Sequence, residues 1–288
     1  MSDVCKNWST WLKKTRFAYM DENQVQQTLN WLMILRNQIL DYAHLESAQK
    51  IIDLGCGSGL LAFGVIERFQ DSVELIFQDK FQDCLDECKN ILKDVQTPYN
   101  ASFLCCDVAS LKLEKNYLDR ALMRSVLVHI VEKQPVFDEI YRVLKPEGIY
   151  CAFEPIISET TRYGDILKGY NISDYDEFKR AEDEFMSRKD DCLVNFSANS
   201  LDENLNNAGF SDVLINVDEV KSSYIAKFDA IKSWFTTPPA PNQKTMKERY
   251  LEYFEEKKVD NFILEVQREL SDKQVEIISK TALIKATK

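Results

Sequence analysis

The stretch Ile51-Ile-Asp53-Leu-Gly55-Cys56-Gly57-Ser-Gly59 constrains this chain more than any other. A short β-branched, apolar run meets three alternate glycines, and Leu60 to Phe69 then carries helical periodicity. Glycine lets a backbone turn sharply and approach a ligand with no Cβ in the way. The start of the helix behind the loop presents N–H groups that lack intrahelical partners. A strand, loop and helix of this kind predict a parallel α/β sheet, with a nucleotide-like ligand cradled at the carboxyl ends of its strands.

The following residues repeat the alternation. Strands are predicted at Val73–Phe77, Ala101–Cys106, within Leu118–Val126 and from Gly148 to Phe153, with helices at about Gln82–Leu92 and Val136–Leu144. Lys145-Pro146-Glu147-Gly148 reads as a helix stop and turn. Short connections between alternating elements mean a sheet covered on both faces. Residues 1–46 read as a helical N-terminal cap, and 47–288 as one domain with helical lid insertions at about 156–196 and 228–278. Leu201–Ala208, closed by Gly209, predicts a further helix. Val213–Val217 and Ala282–Ala286 predict the last two strands and an antiparallel finish.

Composition narrows the partners. The 288 residues carry 36 basic and 47 acidic side chains, a net charge of −11, with no run of Lys or Arg. Phosphate neutralisation supplies most nucleic-acid affinity, so nucleic acid and anionic membranes are disfavoured as partners. No segment approaches the about 20 apolar residues of a membrane span. The opening Met1-Ser-Asp-Val-Cys-Lys-Asn-Trp lacks a basic region followed by an apolar stretch, which sets the expectation of a cytoplasmic protein. The eight cysteines form no Cys-x-x-Cys pair, so no metal site is expected, and buried free thiols are the simpler reading.

Asp79 ends the second strand, twenty residues past Gly59, where an acid can accept from both hydroxyls of a ribose. That spacing also fits an NAD site, and Gly57-Ser-Gly59-Leu-Leu-Ala62 matches a dinucleotide fragment, so an NAD-dependent oxidoreductase is the first rival. Against it, Asp53 precedes the glycines, where a carboxylate suits a cationic group better than a pyrophosphate. Asp107 ends the third strand, placed to accept from an adenine amino group.

These residues, with Arg124-Ser-Val-Leu-Val-His129 and Arg142-Val-Leu-Lys-Pro-Glu-Gly148, resemble the ordered motifs of class I (Rossmann-like) S-adenosylmethionine-dependent methyltransferases. The small-molecule branch that contains the ubiquinone/menaquinone C-methyltransferases is the most similar group. Cys84 and Cys88 depart from that branch, which has small or apolar residues there. The resemblance implies a doubly wound, mostly parallel seven-stranded sheet with S-adenosylmethionine as methyl donor. It implies that Gly55, Cys56, Gly57 and Gly59 line the donor's methionine and ribose, and that Asp53 supports its amino end. Asp79 would hold the ribose, Lys80 or Phe81 flank the adenine, Asp107 and Val108 meet its edge, and Met123, Arg124 and Ser125 sit beside the sulfonium.

Methyl transfer from a sulfonium is chiefly a positioning task. His129 and Glu154 are the candidate bases, each with a structural reading beside the catalytic one: a packing or capping histidine, and an acceptor for a lid N–H. Tyr163, Tyr170, Tyr175, Phe178, Phe185, Trp234 and Phe235 suit an apolar or aromatic small-molecule acceptor, or else form the lid's own core. Trp8, Trp11, Phe17 and Tyr19 could close the site from the other side or simply pack. A thiol-rich metalloid methyltransferase and a non-catalytic relative are further rivals, and a homodimer is left open.

Overall fold

Ile51, Ile52 and Leu54 are fully buried, as expected of a strand covered on both faces. Each buried side chain of that size is worth roughly 1.5–3 kcal/mol relative to exposure. The computed structural model describes residues 8–17, 20, 22–241 and 243–288. Helices α1 (Trp8–Lys13) and α2 (Glu22–Tyr42) lead into β1 (Lys50–Leu54), α3 (Leu60–Phe69), β2 (Glu74–Asp79), α4 (Gln82–Asp94) and β3 (Asn100–Cys105). Then come β4 (Leu118–Arg124), α5 (Gln134–Val143) and β5 (Leu144–Pro155). Helices α6 (Tyr163–Leu167) and α7 (Tyr175–Phe185) follow, then α8 (Ala198–Ala208) and β6 (Ser211–Ile225). Helices α9 (Phe228–Thr236), α10 (Met246–Tyr250) and α11 (Glu256–Leu270) precede β7 (Gln274–Thr287).

The strands lie in the order β3-β2-β1-β4-β5-β7-β6. The first five are parallel, and β7 runs antiparallel to both β5 and β6. The chain winds outward from β1 through β2 to β3 and then returns to place β4 against β1. That reversal opens a crevice above the carboxyl ends of β1 and β4, where open α/β sheets bind ligands. The glycine loop leaves β1 at this point.

One sheet face packs on α5 and α8 through Phe137, Ile140, Leu201 and Leu205. The other packs on α2, α3 and α4 through Ile39, Leu40, Val65 and Leu85. Arg120 donates to the carbonyls of Ala43 (2.8 Å) and His44 (2.9 Å), fastening β4 to the end of α2. Helix α2 thus belongs to the sheet's own core, whereas residues 1–46 read from sequence as a separate cap.

Three boundaries differ from the sequence reading. The Lys145–Gly148 turn lies inside β5, where Leu144 already pairs with Leu118 before the register shifts to Arg120 opposite Ile149. Strand β6 runs on to Ile225, because its ladder with β7 continues through the polar stretch 218–225. The second insertion accordingly stops short of 278, since residues 274–278 belong to β7. No periodicity within 218–225 could reveal a partner strand some fifty residues away.

The two insertions share a third core. Phe178 stacks on Phe262 at 3.7 Å between ring centres, and Phe185, Phe235 and Tyr250 are buried around them. Tyr163 stacks on Trp234 at 5.8 Å. These rings pack chiefly on one another, which matches the structural reading of the lid aromatics. The side chains of Trp8 and Trp11, together with Cys5 and Tyr19, lie outside the described residues.

Candidate functional site

The loop after β1 has its three glycines at φ +62° (Gly55), +53° (Gly57) and +81° (Gly59). A Cβ at Gly55 would lie 2.5 Å from Val126, and one at Gly59 would lie 2.5 Å from Phe63 and 3.1 Å from the Cys88 sulfur. The loop is therefore fixed by conformation and by packing together. Side chains from β2 and α4 brace it. Gln78 accepts from the Gly55 N–H (3.1 Å) and donates to the Cys106 carbonyl (2.7 Å). Cys88 donates to the Gly57 carbonyl (3.4 Å).

Asp79 is buried at the end of β2, accepting from the N–H of Gly57 and of Phe81, both at 2.9 Å. Asp53 is 2% exposed and accepts from the Ala62 N–H (2.9 Å), so it also anchors the first turn of α3. Burial raises both carboxyls, Asp53 to about 7, while Arg124 opposes the rise at Asp53. Two buried carboxylates around one loop form an anionic cradle, and a cationic ligand there would favour their ionised forms.

Around this cradle the sequence-predicted residues divide. Lys80 and Asp107 pair at 2.8 Å at the rim, and the lysine holds the Asp107 carboxyl below its usual range. Phe81 is half-buried before α4, and Val108 is buried in the sheet's core. Arg124 and Ser125 are half-buried where β4 ends. Ser125 adopts φ +55°, with its N–H on the Phe153 carbonyl (2.8 Å). Met123 is fully buried and accepts from the Tyr150 hydroxyl (3.3 Å). Its side chain lies on the sheet face that packs on α5 and α8.

Glu154 is fully buried. Its Oε1 accepts from the N–H of Val126 (2.8 Å) and Leu127 (3.1 Å), so it holds the turn after β4. One oxygen is thus engaged by the backbone of this turn and not by the lid, while the buried Oε2 has no hydrogen-bond partner. Burial pushes the Glu154 carboxyl up to about 7. A raised folded-state pKa means that the contribution of this group to stability is complete at low pH and lost as pH climbs through 7. Glu154→Gln keeps the acceptor but cannot ionise. The variant is expected to match the wild type near pH 5 and exceed it by about 1–2 kcal/mol near pH 8 in urea unfolding. Parallel pH profiles for the two proteins would contradict this.

His129 lies at the end of the turn after β4, where burial and then the Arg124 charge push it down to about 4. It is therefore neutral at physiological pH, and a weak base.

Sequence reading missed Gln78, Val126 and Leu12. Gln78 carried a signal, as a polar residue within the apolar strand just before Asp79. Leu12 carried none. It sits 3.0 Å from where a Gly57 Cβ would be, placing α1 over the loop, and Lys13 pairs with Glu87 (2.8 Å) to hold it there. Among the described residues no group of three or more His, Cys, Asp or Glu could hold a metal ion. The hydrogen bond with Cys88 and then burial raise Cys56, and burial raises Cys84, which keeps those thiols protonated and argues against metalloid chemistry.

Residues 51–148 match the family model described as a methyltransferase domain. The chain carries a class I, S-adenosylmethionine-dependent methyltransferase domain. A carboxy-S-adenosyl-L-methionine synthase of Shewanella loihica is 21% identical over 183 residues, covering 62% of this chain and 74% of that protein. A sterol 24-C-methyltransferase of Aspergillus fumigatus is 24% identical over 115 residues, covering 40% of this chain and only 30% of its own length. The methyltransferase fold as a whole is shared with the YcgJ protein of Bacillus subtilis, at a TM-score of 0.56 and 16% identity over 88% of this chain and 97% of that one. No helix among the described residues is long and apolar enough to cross a membrane.

Proposed function

We propose that this protein transfers the methyl group of S-adenosylmethionine to a small apolar or aromatic acceptor. The observation that carries the reading is the anionic cradle. Asp53 and Asp79 are buried around three positive-φ glycines, and a ligand bearing a sulfonium and an ammonium would favour ionisation of the carboxyls that burial raises. The donor supplies an already activated methyl carbon. Asp79 would hold the ribose, with Lys80, Phe81 and Asp107 around the adenine and the loop backbone along the methionine. Helix α1 over Gly57 and the helical lid module would exclude water.

Trp31 supports an apolar acceptor. It is 46% exposed on α2, yet packs edge-on against Phe153 near the carboxyl end of β5, with ring centres 6.0 Å apart. That leaves an aromatic surface beside the crevice.

In this reading alignment does most of the catalytic work, and His129 contributes little as a base. His129→Ala is expected to lower kcat/KM less than tenfold, since general bases usually supply 10²–10⁴-fold. A loss of a thousandfold, with a pH profile whose acid limb disappears in the variant, would make His129 the base after all.

A second reading, synthesis of a modified donor, is favoured by the match along 74% of the Shewanella synthase. Incubation with methyl-labelled donor and a metabolite panel separates the two. Label in an acceptor, with release of S-adenosylhomocysteine, supports methyl transfer. A carboxylated donor as the product supports the second reading and overturns the first.

A further inference from the structure

Strand β6 ends the sheet, and from Asn216 to Ser223 its residues are exposed on both faces. Leu214, Val217, Val220 and Ile225 are each 43–50% exposed along it. Its outer N–H and C=O groups have no strand partner among the described residues. A long, partly apolar edge of this kind is a template for pairing unless something blunts it. The charges on it do not simply blunt it, because they are self-complementary.

We propose that β6 pairs antiparallel with β6 of a second copy of this chain, about a two-fold axis through Val220. Directly opposite residues of an antiparallel pair point to the same face, so an axis normal to the sheet must pass through a residue and not between two. An axis through Asp218, Glu219 or Lys221 would set a charge against its own copy, which is destabilising. Through Val220, valine meets valine and Glu219 faces Lys221 twice, once on each side. The same register sets Ile215 against Ile225, Val217 against Ser223, Asn216 against Tyr224 and Asp218 against Ser222. No like charges oppose. Glu219 and Lys221 already share a face, their charged groups 3.7 Å apart, and both remain solvent-exposed and available to a partner. The pairing spans about 35 Å at ~3.4 Å per residue, less surface than a permanent dimer buries, so it should dissociate on dilution in the micromolar range. It is independent of the catalytic reading.

Sedimentation velocity on the full chain, from about 1 to about 200 μM, tests it. The wild type is expected to shift from monomer to dimer across that range. E219K and K221E should each stay monomeric at concentrations where the wild type is dimeric, with unchanged circular dichroism and melting temperature. An equimolar mixture of the two should recover the dimer, because each supplies the charges the other lacks. A monomeric wild type throughout, single variants that dimerise like the wild type, or a mixture that stays monomeric would each overturn the proposal.

Discussion

Gly59→Val is expected to abolish donor binding and to cost about 2–4 kcal/mol of stability. Two penalties combine at this position. The residue sits at φ +81°, which strains any β-branched side chain by about 1–3 kcal/mol. Its Cβ would also press on the Phe63 ring at 2.5 Å and the Cys88 sulfur at 3.1 Å, in a region where both neighbours are packed. The loop can relieve the clash only by lifting away from α4, which undoes the cradle. Urea unfolding gives the first loss and donor titration the second. A variant that bound the donor with wild-type affinity would show that the loop does not touch it.

Asp79→Ala should weaken donor binding at least thirtyfold while leaving the protein folded. The carboxylate holds two backbone N–H groups, on Gly57 and Phe81, and each such charged hydrogen bond is worth about 1.5–3 kcal/mol. Its removal frees the loop at one end and deletes the acceptor proposed for the ribose. Asp79→Asn is the sharper comparison. It can still accept one of the two N–H bonds, so it should keep more stability than alanine yet lose most of the affinity. Calorimetric titration with S-adenosylhomocysteine and urea melts of both variants separate the effects. Equal affinity in all three proteins would remove Asp79 from the site.

The elements around the cradle were legible because their signals are local. The run Ile51–Gly59 contains its own strand, its turn residues and its helix start, and Asp79 and Asp107 sit where the following strands end. What could not be read depends on distant partners. Strand β6 continues through 218–225 only because residues 274–281 lie beside it. The place of Glu154 at the end of β5 says nothing of the Val126 and Leu127 N–H groups that occupy one of its oxygens. The end of β4 reaches the crevice, where Met123 is fully buried and Arg124 half-buried. The lid rings carried both meanings in sequence, and only the stacking of Phe178 on Phe262 separates them.

The cradle claim predicts that a cationic donor binds better as its carboxylates ionise. Calorimetric titration of the wild type with S-adenosylmethionine at pH 6 and pH 8 tests this most directly. Affinity is expected to rise several-fold at the higher pH, with protons released on binding, and to rise less for S-adenosylhomocysteine, which lacks the sulfonium charge. Failure to take up either ligand at both pH values would contradict the account.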